Sequence, residues 1–362
     1  MKIAVVMVLV AVAGIGVAQL AVLGTGGGSS GAVEQVPADV DSVTTIDMTV
    51  LEDETADRLY TEAYESVSEE VNDTEAIGMV PANLSALSDR VENESGLDPR
   101  DAEEVVYFQQ QRENFTAPAY AGAVVHADWN ESALLDIVAN ETDTDYENTT
   151  VDGVTVYRPN TEEEDEEFGF GPDPRWVGVL GDSEYVVGTE NAVRDTIAVS
   201  VGNGSALSGD MLSAYQETRD GYLRSVQRSQ NVNVTAINQT AGSTTGLNVT
   251  AYAEAYNDLH ITASSSYTTD DGIGSQTRIL TNSTATAEDV ESLTQGFISI
   301  QAGAIQNETI KSELRAASVS RDGTTVTVTR ETSVDAAVKT LEWYLSLLDA
   351  GEGAAPGAAP VA

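Results

Sequence analysis

The chain alternates between two hydrophobic rhythms. Ser42 to Thr49 reads as a strand, with Val43, Thr45 and Asp47 on one face. Glu52 to Val71 has the spacing of a helix, placing Leu59, Ala63 and Val67 on one side beside Tyr60 and Tyr64. Residues 72–100 read as turn-rich, and short strands follow at Val105–Gln109 and Tyr120–Asp128. A helix capped by Asn130 or Ser132 carries Leu134, Leu135, Ile137 and Val138 toward a core. Val151 to Tyr157 alternates strictly and reads as a single strand. Trp176–Leu180 and Tyr185–Val187 form a hairpin across Gly181-Asp182-Ser183, followed by helices over Glu190–Val201 and Asp210–Gln216.

The second half opens near Gly221 with an extended stretch, Tyr222–Gln227. Residues 228–250 read as a long polar loop. His260–Tyr267 and Ser275–Thr281 pair across Asp270-Asp271-Gly272, and Ala317–Arg321 and Thr324–Arg330 pair across Asp322-Gly323. Between these hairpins, a helix over Thr286–Ile305 aligns Val290, Leu293, Phe297, Ile300 and Ala304; a last helix, Val334–Leu348, buries Val338, Leu341, Leu345 and Leu348. Hairpins backed by helices without βαβ alternation predict an α+β protein, with mostly antiparallel sheets and helices packed on one face. The expected parts are residues 1–23, a membrane helix; 24–35, a Gly/Ser linker; 36–220 and 221–348, two α+β domains; and 349–362, a disordered tail. The pattern is compatible with a remote duplication, but residue identity between the halves is too low to claim one.

Ile3 to Leu23 is uncharged and long enough to cross a bilayer, so it reads as a retained anchor, with a cleaved signal as the alternative. Gly27-Gly28-Ser29-Ser30-Gly31 matches a nucleophile-elbow pattern, but it lacks the flanking strand and helix and reads as linker. The body is therefore expected outside the cytoplasm, membrane-anchored or secreted.

Charge changes the picture next. The formal net charge is −42, from 59 acidic and 17 basic side chains, and there is no cysteine. No basic patch is available for nucleic acid, and disulfides or thiolate chemistry are excluded. The acids are spread among apolar positions along the chain, whereas a disordered acidic tail would lack that patterning. Molar salt shortens the Debye length to about 3 Å and screens such repulsion. This composition resembles the proteins of haloarchaea.

Asparagine is the other signal. Thirteen of seventeen asparagines sit in N-x-S/T: Asn72, Asn83, Asn93, Asn114, Asn130, Asn140, Asn148, Asn203, Asn233, Asn238, Asn248, Asn282 and Asn307. Chance composition predicts about three, so these are the candidate site residues, as glycosylation acceptors on an exported surface.

Val36-Pro37-Ala38-Asp39 before a strand, the stretch Val151-Asp152-Gly153-Val154-Thr155-Val156-Tyr157, and Trp176–Ile197 with Gly188-Thr189 and Ala192-Val193-Arg194 carry a resemblance. Over about residues 36–227 the chain resembles an uncharacterised exported bacterial and archaeal family, a domain of unknown function. The resemblance implies an exported α+β protein and transfers no catalytic residue.

Candidate chemistry is sparse. His126 and His260 lie in separate strands, and a shared metal site requires them to meet. Asp143, Asp145 and Glu147 mimic the start of an EF-hand, but Asn148 replaces its glycine and Val154 its glutamate, so the segment reads as a loop. The acid run Glu162–Glu167 reads as a solvated loop. Tyr60, Tyr64, Tyr252 and Tyr256 pair at helical spacing and read as closing a half-exposed core. No catalytic, cofactor-binding or metal residue is assigned.

The leading expectation is a non-enzymatic surface glycoprotein of a halophilic archaeon, with a binding or structural role. Its partners would be the membrane, through residues 3–23, and a surface-layer or other cell-surface protein. A carrier or chaperone for an apolar ligand and a carboxylate-based hydrolase are the alternatives.

Overall fold

A computed structural model describes residues 31–70, 81–111, 120–142, 144–160, 175–181, 183–229, 259–305 and 307–350. The expected anchor, most of the linker, the acid run, most of the 228–250 loop and residues 351–362 lie outside these residues. None of the described helices is long and apolar enough to cross a membrane.

In chain order the first half holds β1 (Ser42–Asp47), α1 (Glu54–Glu70), α2 (Leu84–Ser95), β2 (Ala102–Gln110), β3 (Tyr120–Ala127) and α3 (Glu131–Thr142). It continues with β4 (Tyr146–Val151), β5 (Val154–Pro159), β6 (Trp176–Gly181), β7 (Glu184–Gly188), α4 (Glu190–Ser200) and α5 (Gly209–Glu217). The second half holds β8 (Leu223–Arg228), β9 (Leu259–Thr269), β10 (Gly272–Thr281), α6 (Thr284–Ala304), α7 (Glu308–Ala316), β11 (Ser318–Asp322), β12 (Thr325–Ser333) and α8 (Val334–Ala350).

The fold is α+β. All twelve described strands join one sheet in the order β11-β12-β10-β9-β8-β1-β2-β3-β7-β6-β5-β4. Each neighbouring pair is antiparallel, and the halves meet where β1 pairs β8.

Both faces of the sheet are used. On the first face Val43, Val106, Phe108, Val124, Val226, Ile261 and Ala263 pack beneath Ala192 of α4 and Met211, Ala214 and Tyr215 of α5. Ala32, Val33, Val36 and Val40 complete that layer, so the chain joins the core four residues before the expected start of the first domain at Val36. Successive strand residues point opposite ways. Val186 therefore meets Val193 and Ile197 of α4, while its neighbour Tyr185 meets Leu134, Ile137 and Val138 of α3 on the second face. The second face also carries Ala287 and Val290 of α6 over Val326, and Val334, Ala337 and Val338 of α8 with Ile273 and Leu59 of α1.

Several elements differ from the sequence reading. Residues 84–95 are helical, not turn-rich: Asn83 caps the first turn by accepting from the Ala86 N–H, and Gly96, with φ of +79°, ends it. Val151–Tyr157 is not one strand but the bend of the β4–β5 hairpin. Asp152 and Gly153 both have positive φ (+50° and +87°), as a two-residue turn matched to strand twist requires. The EF-hand-like segment likewise ends in paired strands and not in a loop. Helix α7 was not anticipated; Asn307 caps it through the Thr309 and Ile310 N–H groups. On α6, Ala287, Val290 and Ala302 are buried, but Ile300 is 59% exposed. At 100° per residue Ile300 stands about 140° around the helix from Ala287.

Candidate functional site

Eight sequon asparagines fall among the described residues: Asn83, Asn93, Asn130, Asn140, Asn148, Asn203, Asn282 and Asn307. None is buried; Asn83 and Asn307 are half-exposed and the other six are exposed. Asn72, Asn114, Asn233, Asn238 and Asn248 lie outside the described residues.

Their positions follow from local backbone demands. Asn83, Asn130 and Asn307 stand at helix starts, where the first N–H groups lack intrahelical partners. Asn130 Oδ1 accepts from the Ser132 N–H at 3.0 Å and the Ala133 N–H at 3.4 Å. Asn83 Oδ1 accepts from Ala86 at 2.7 Å, and Asn307 Oδ1 from Thr309 and Ile310 at 3.0 and 3.3 Å. Capping uses the carbonyl oxygen, not the amide nitrogen that would carry a glycan. Helix capping thus accounts for part of the asparagine excess while leaving the acceptor chemistry intact. Asn282 precedes the N-cap of α6, Asn203 sits in the turn after α4, and Asn148 lies on β4, an edge strand. The amide of Asn93 instead donates to the Asp89 carbonyl at 2.6 Å.

The histidines do not meet. His126 on β3 lies 3.5 Å from Glu103, and His260 on β9 lies 3.3 Å from Asp210. Strands β8, β1 and β2 separate β9 from β3, a gap of about 19 Å at 4.8 Å per strand. Among the described residues no group of three or more His, Asp or Glu side chains is placed to hold a metal ion.

The most unusual polar cluster is one that sequence reasoning missed, at the junction of the two halves. Arg224 of β8 is only 6% exposed and stands between Thr45 and Ser265 on its flanking strands. Its guanidinium lies 4.1 Å from the centroid of Tyr215 and pairs with Asp220. Tyr215 donates to Thr45 Oγ1 at 2.8 Å. Arg224 Nε and Ser265 Oγ are buried without a hydrogen-bond partner among the described residues. Alongside, Arg219 covers the Tyr267 ring at 3.5 Å, and both Arg219 and Tyr267 reach Glu331 at 3.1 Å. A buried arginine held by an aromatic face and an acid is an anchor for packing α5 on the sheet. A sequence signal existed: Arg224 occupies an inward position of an alternating strand.

Tyrosines close the half-exposed margins. Tyr60 donates to the Pro81 carbonyl at 3.0 Å, and burial, then Tyr64, raises its phenol. Tyr252 and Tyr256 lie outside the described residues. Tyr222 donates to Asp53 at 2.9 Å, which also caps α1; burial and that hydrogen bond push the phenol above its usual range. Burial alone raises Tyr107. Among carboxylates, Asp98 is held below its usual range by the Arg100 hydrogen bond, and Glu308 by that of Lys311. Both shifts run opposite to what a general acid needs.

No protein-family model and no curated protein matches the chain. Among solved structures, crystal forms III, I and IV of TP0453 are similar over 87% of this chain and 99%, 98% and 97% of theirs. Identities are 8%, 9% and 8%, with TM-scores of 0.41, 0.39 and 0.42. Likeness this distant carries no information about what the protein does.

Proposed function

We propose that this is an exported, non-enzymatic surface glycoprotein of a halophile, held at the membrane through residues 3–23 and serving a binding or structural role. The observation that carries the reading is the surface position of all eight described sequon asparagines. That position keeps the acceptors accessible, and the excess itself, thirteen of seventeen asparagines against about three by chance, points to their use. The acids support the halophilic part. Many of those facing arginine or lysine stay largely in solvent, with Asp220 73%, Glu308 81% and Glu217 61% exposed at the side chain, whereas Glu313, Asp98 and Glu291 are mostly covered. The exposed carboxylates therefore hold water at the surface more than they stabilise pairs.

Mass spectrometry of peptides from the native host tests the glycoprotein reading. Several of Asn93, Asn140, Asn148 and Asn203 are expected to carry glycans, and a full set of unmodified sequons overturns it. Retention in the membrane fraction after an alkaline carbonate wash tests the anchor separately. A mature N-terminus near Gln19 or Val22, with protein in the supernatant, would make it a secreted form.

A further inference from the structure

The two halves of the sheet share a wiring that their residues conceal. Strands β1 and β8 are both six residues long, so Ser42 falls on Leu223 and Asp47 on Arg228. From that one alignment the observed pairings fix every other strand, with nothing left to adjust. Ser42 pairs Gln109 while Leu223 pairs Ser266, so Gln109 of β2 falls on Ser266 of β9. Gln109 pairs Ala121 and Ser266 pairs Ser275, so β3 falls on β10. Ala123 pairs Val187, and its counterpart Thr277 pairs Val328, so β7 falls on β12. Val187 pairs Val177 and Val328 pairs Val319, so β6 falls on β11.

Four of the eight ends of β2, β3, β6 and β7 then coincide with those of their counterparts without having been used, and the other four fall within one to four positions. The first residue of β2, Ala102, lands on Leu259, the first of β9. The last of β3, Ala127, lands on Thr281, the last of β10. The first residues of β6 and β7, Trp176 and Glu184, land on Ser318 and Thr325, the first of β11 and β12. Helix α3 follows β3 as α6 follows β10, and the β3 offset carries its first residue, Glu131, to within one position of the start of α6.

Packing agrees with wiring. Helix α3 lies on Val177 and Tyr185; their counterparts, Val319 and Val326, lie under α6 on the same face. Antiparallel pairing of β1 with β8 is the relation that a twofold axis normal to the sheet imposes on adjacent strands.

We propose that the chain is a tandem duplication: one strand–strand–strand–helix–strand–strand unit, doubled and joined through its first strands about a pseudo-twofold axis between β1 and β8. The β4–β5 hairpin is then an addition to the first copy, standing where the second copy carries α7. After the last paired strands the copies diverge. In the first, α4 turns back onto the first face; in the second, β12 runs on to Ser333 and α8 packs on the other face. This explains why the residues differ so much. Val124, Val186 and Phe108, buried on the first face of copy one, correspond to Arg278, Thr327 and Ser265 in copy two. Of these counterparts Arg278 and Thr327 are partly exposed, for among the described residues no α4 equivalent covers that face. The inference stands apart from the proposed surface role.

Two measurements test it. In a crystal structure of the protein grown from molar salt, a single rotation near 180° is expected to superpose β1, β2, β3, β6 and β7 on β8, β9, β10, β11 and β12, carrying α3 onto α6. Strand pairs that superpose only by separate rotations overturn the proposal. Sequences of relatives, built into separate profiles for residues 42–200 and 223–333, are expected to align with Gln109 on Ser266, Ala121 on Ser275 and Val187 on Val328. A best alignment in any other register overturns it.

Discussion

Gly122 of β3 and Phe108 of β2 are directly paired, and the ring lies over the glycine. A Cβ added at Gly122 would stand 2.5 Å from Phe108 Cζ and 3.0 and 3.1 Å from the two Cε atoms. Carbon atoms rest at about 3.5–4.0 Å, so the ring tip must retreat by about 1 Å. Phe108 is 2% exposed within a close-packed cluster and has no open path. Gly122→Ala is therefore expected to cost about 1–3 kcal/mol, the range for overpacking. Phe108→Leu removes the clashing ring tip but leaves a void, costing about 1–2 kcal/mol, less than the 3–5 of a Phe→Ala change. In the double variant the new methyl enters that void. The cost of the pair should fall at least 1 kcal/mol below the sum of the singles, beyond the ~0.5 kcal/mol scatter of independent sites. Urea unfolding followed by circular dichroism in molar salt measures each variant. Additive costs, or a neutral Gly122→Ala, would refute the packing argument.

The remaining expectations concern charge, ionisation and turn geometry. Lowering salt to tens of millimolar lengthens the Debye length several-fold and should loosen the fold of a chain with net charge −42; circular dichroism unchanged down to about 50 mM would contradict the halophilic reading. Burial raises the phenols of Tyr107, Tyr120 and Tyr222 above the unfolded value near 10, so their contribution is complete below that pH and erodes as pH rises beyond it. Phenolate absorbance in the folded protein should accordingly lag behind that of urea-unfolded protein, and coincident titrations would refute the burial of these rings. Gly153→Val forces a β-branched residue to φ of +87° and should cost about 1–2 kcal/mol or more, while a substitution at exposed Thr150 in the same hairpin should be near neutral; equal effects would remove the turn from the argument.

Much of the fold was legible because its signals are local. A run of alternation followed by Asp-Gly bends the chain, and β11–β12 form a hairpin there, although Asp322 itself pairs with Thr325 and the two-residue turn is Gly323-Thr324, one position beyond the expected Asp322-Gly323. The same signal at Asp152-Gly153 was legible too, but unbroken alternation through Val151–Tyr157 masked it, since a two-residue turn preserves the period of two. Helices α2 and α7 announced themselves by Asn caps, α2 also by its closing Gly96, and the sequon reading of Asn83 and Asn307 obscured the capping one. Exposure of six of the eight described sequons follows similarly from helix starts, turns and an edge strand, while Asn93 and Asn140 lie on the outer faces of α2 and α3.

Tertiary structure alone decided what depends on which strands become neighbours. No local pattern says that β1 pairs β8 and so welds two halves into one sheet. That pairing buries Arg224 against Tyr215, and the strands between β3 and β9 keep the two histidines apart. Nor does helical spacing reveal which arc of α6 meets the sheet: the apolar stripe through Ile300 was real, but Ala287 and Val290 met Val326 and turned Ile300 outward. The repeat is hidden from sequence for the same reason. The strands are paired by backbone hydrogen bonds that any residue but proline supplies, whereas side-chain identity follows what covers each face, and α4 covers only one copy.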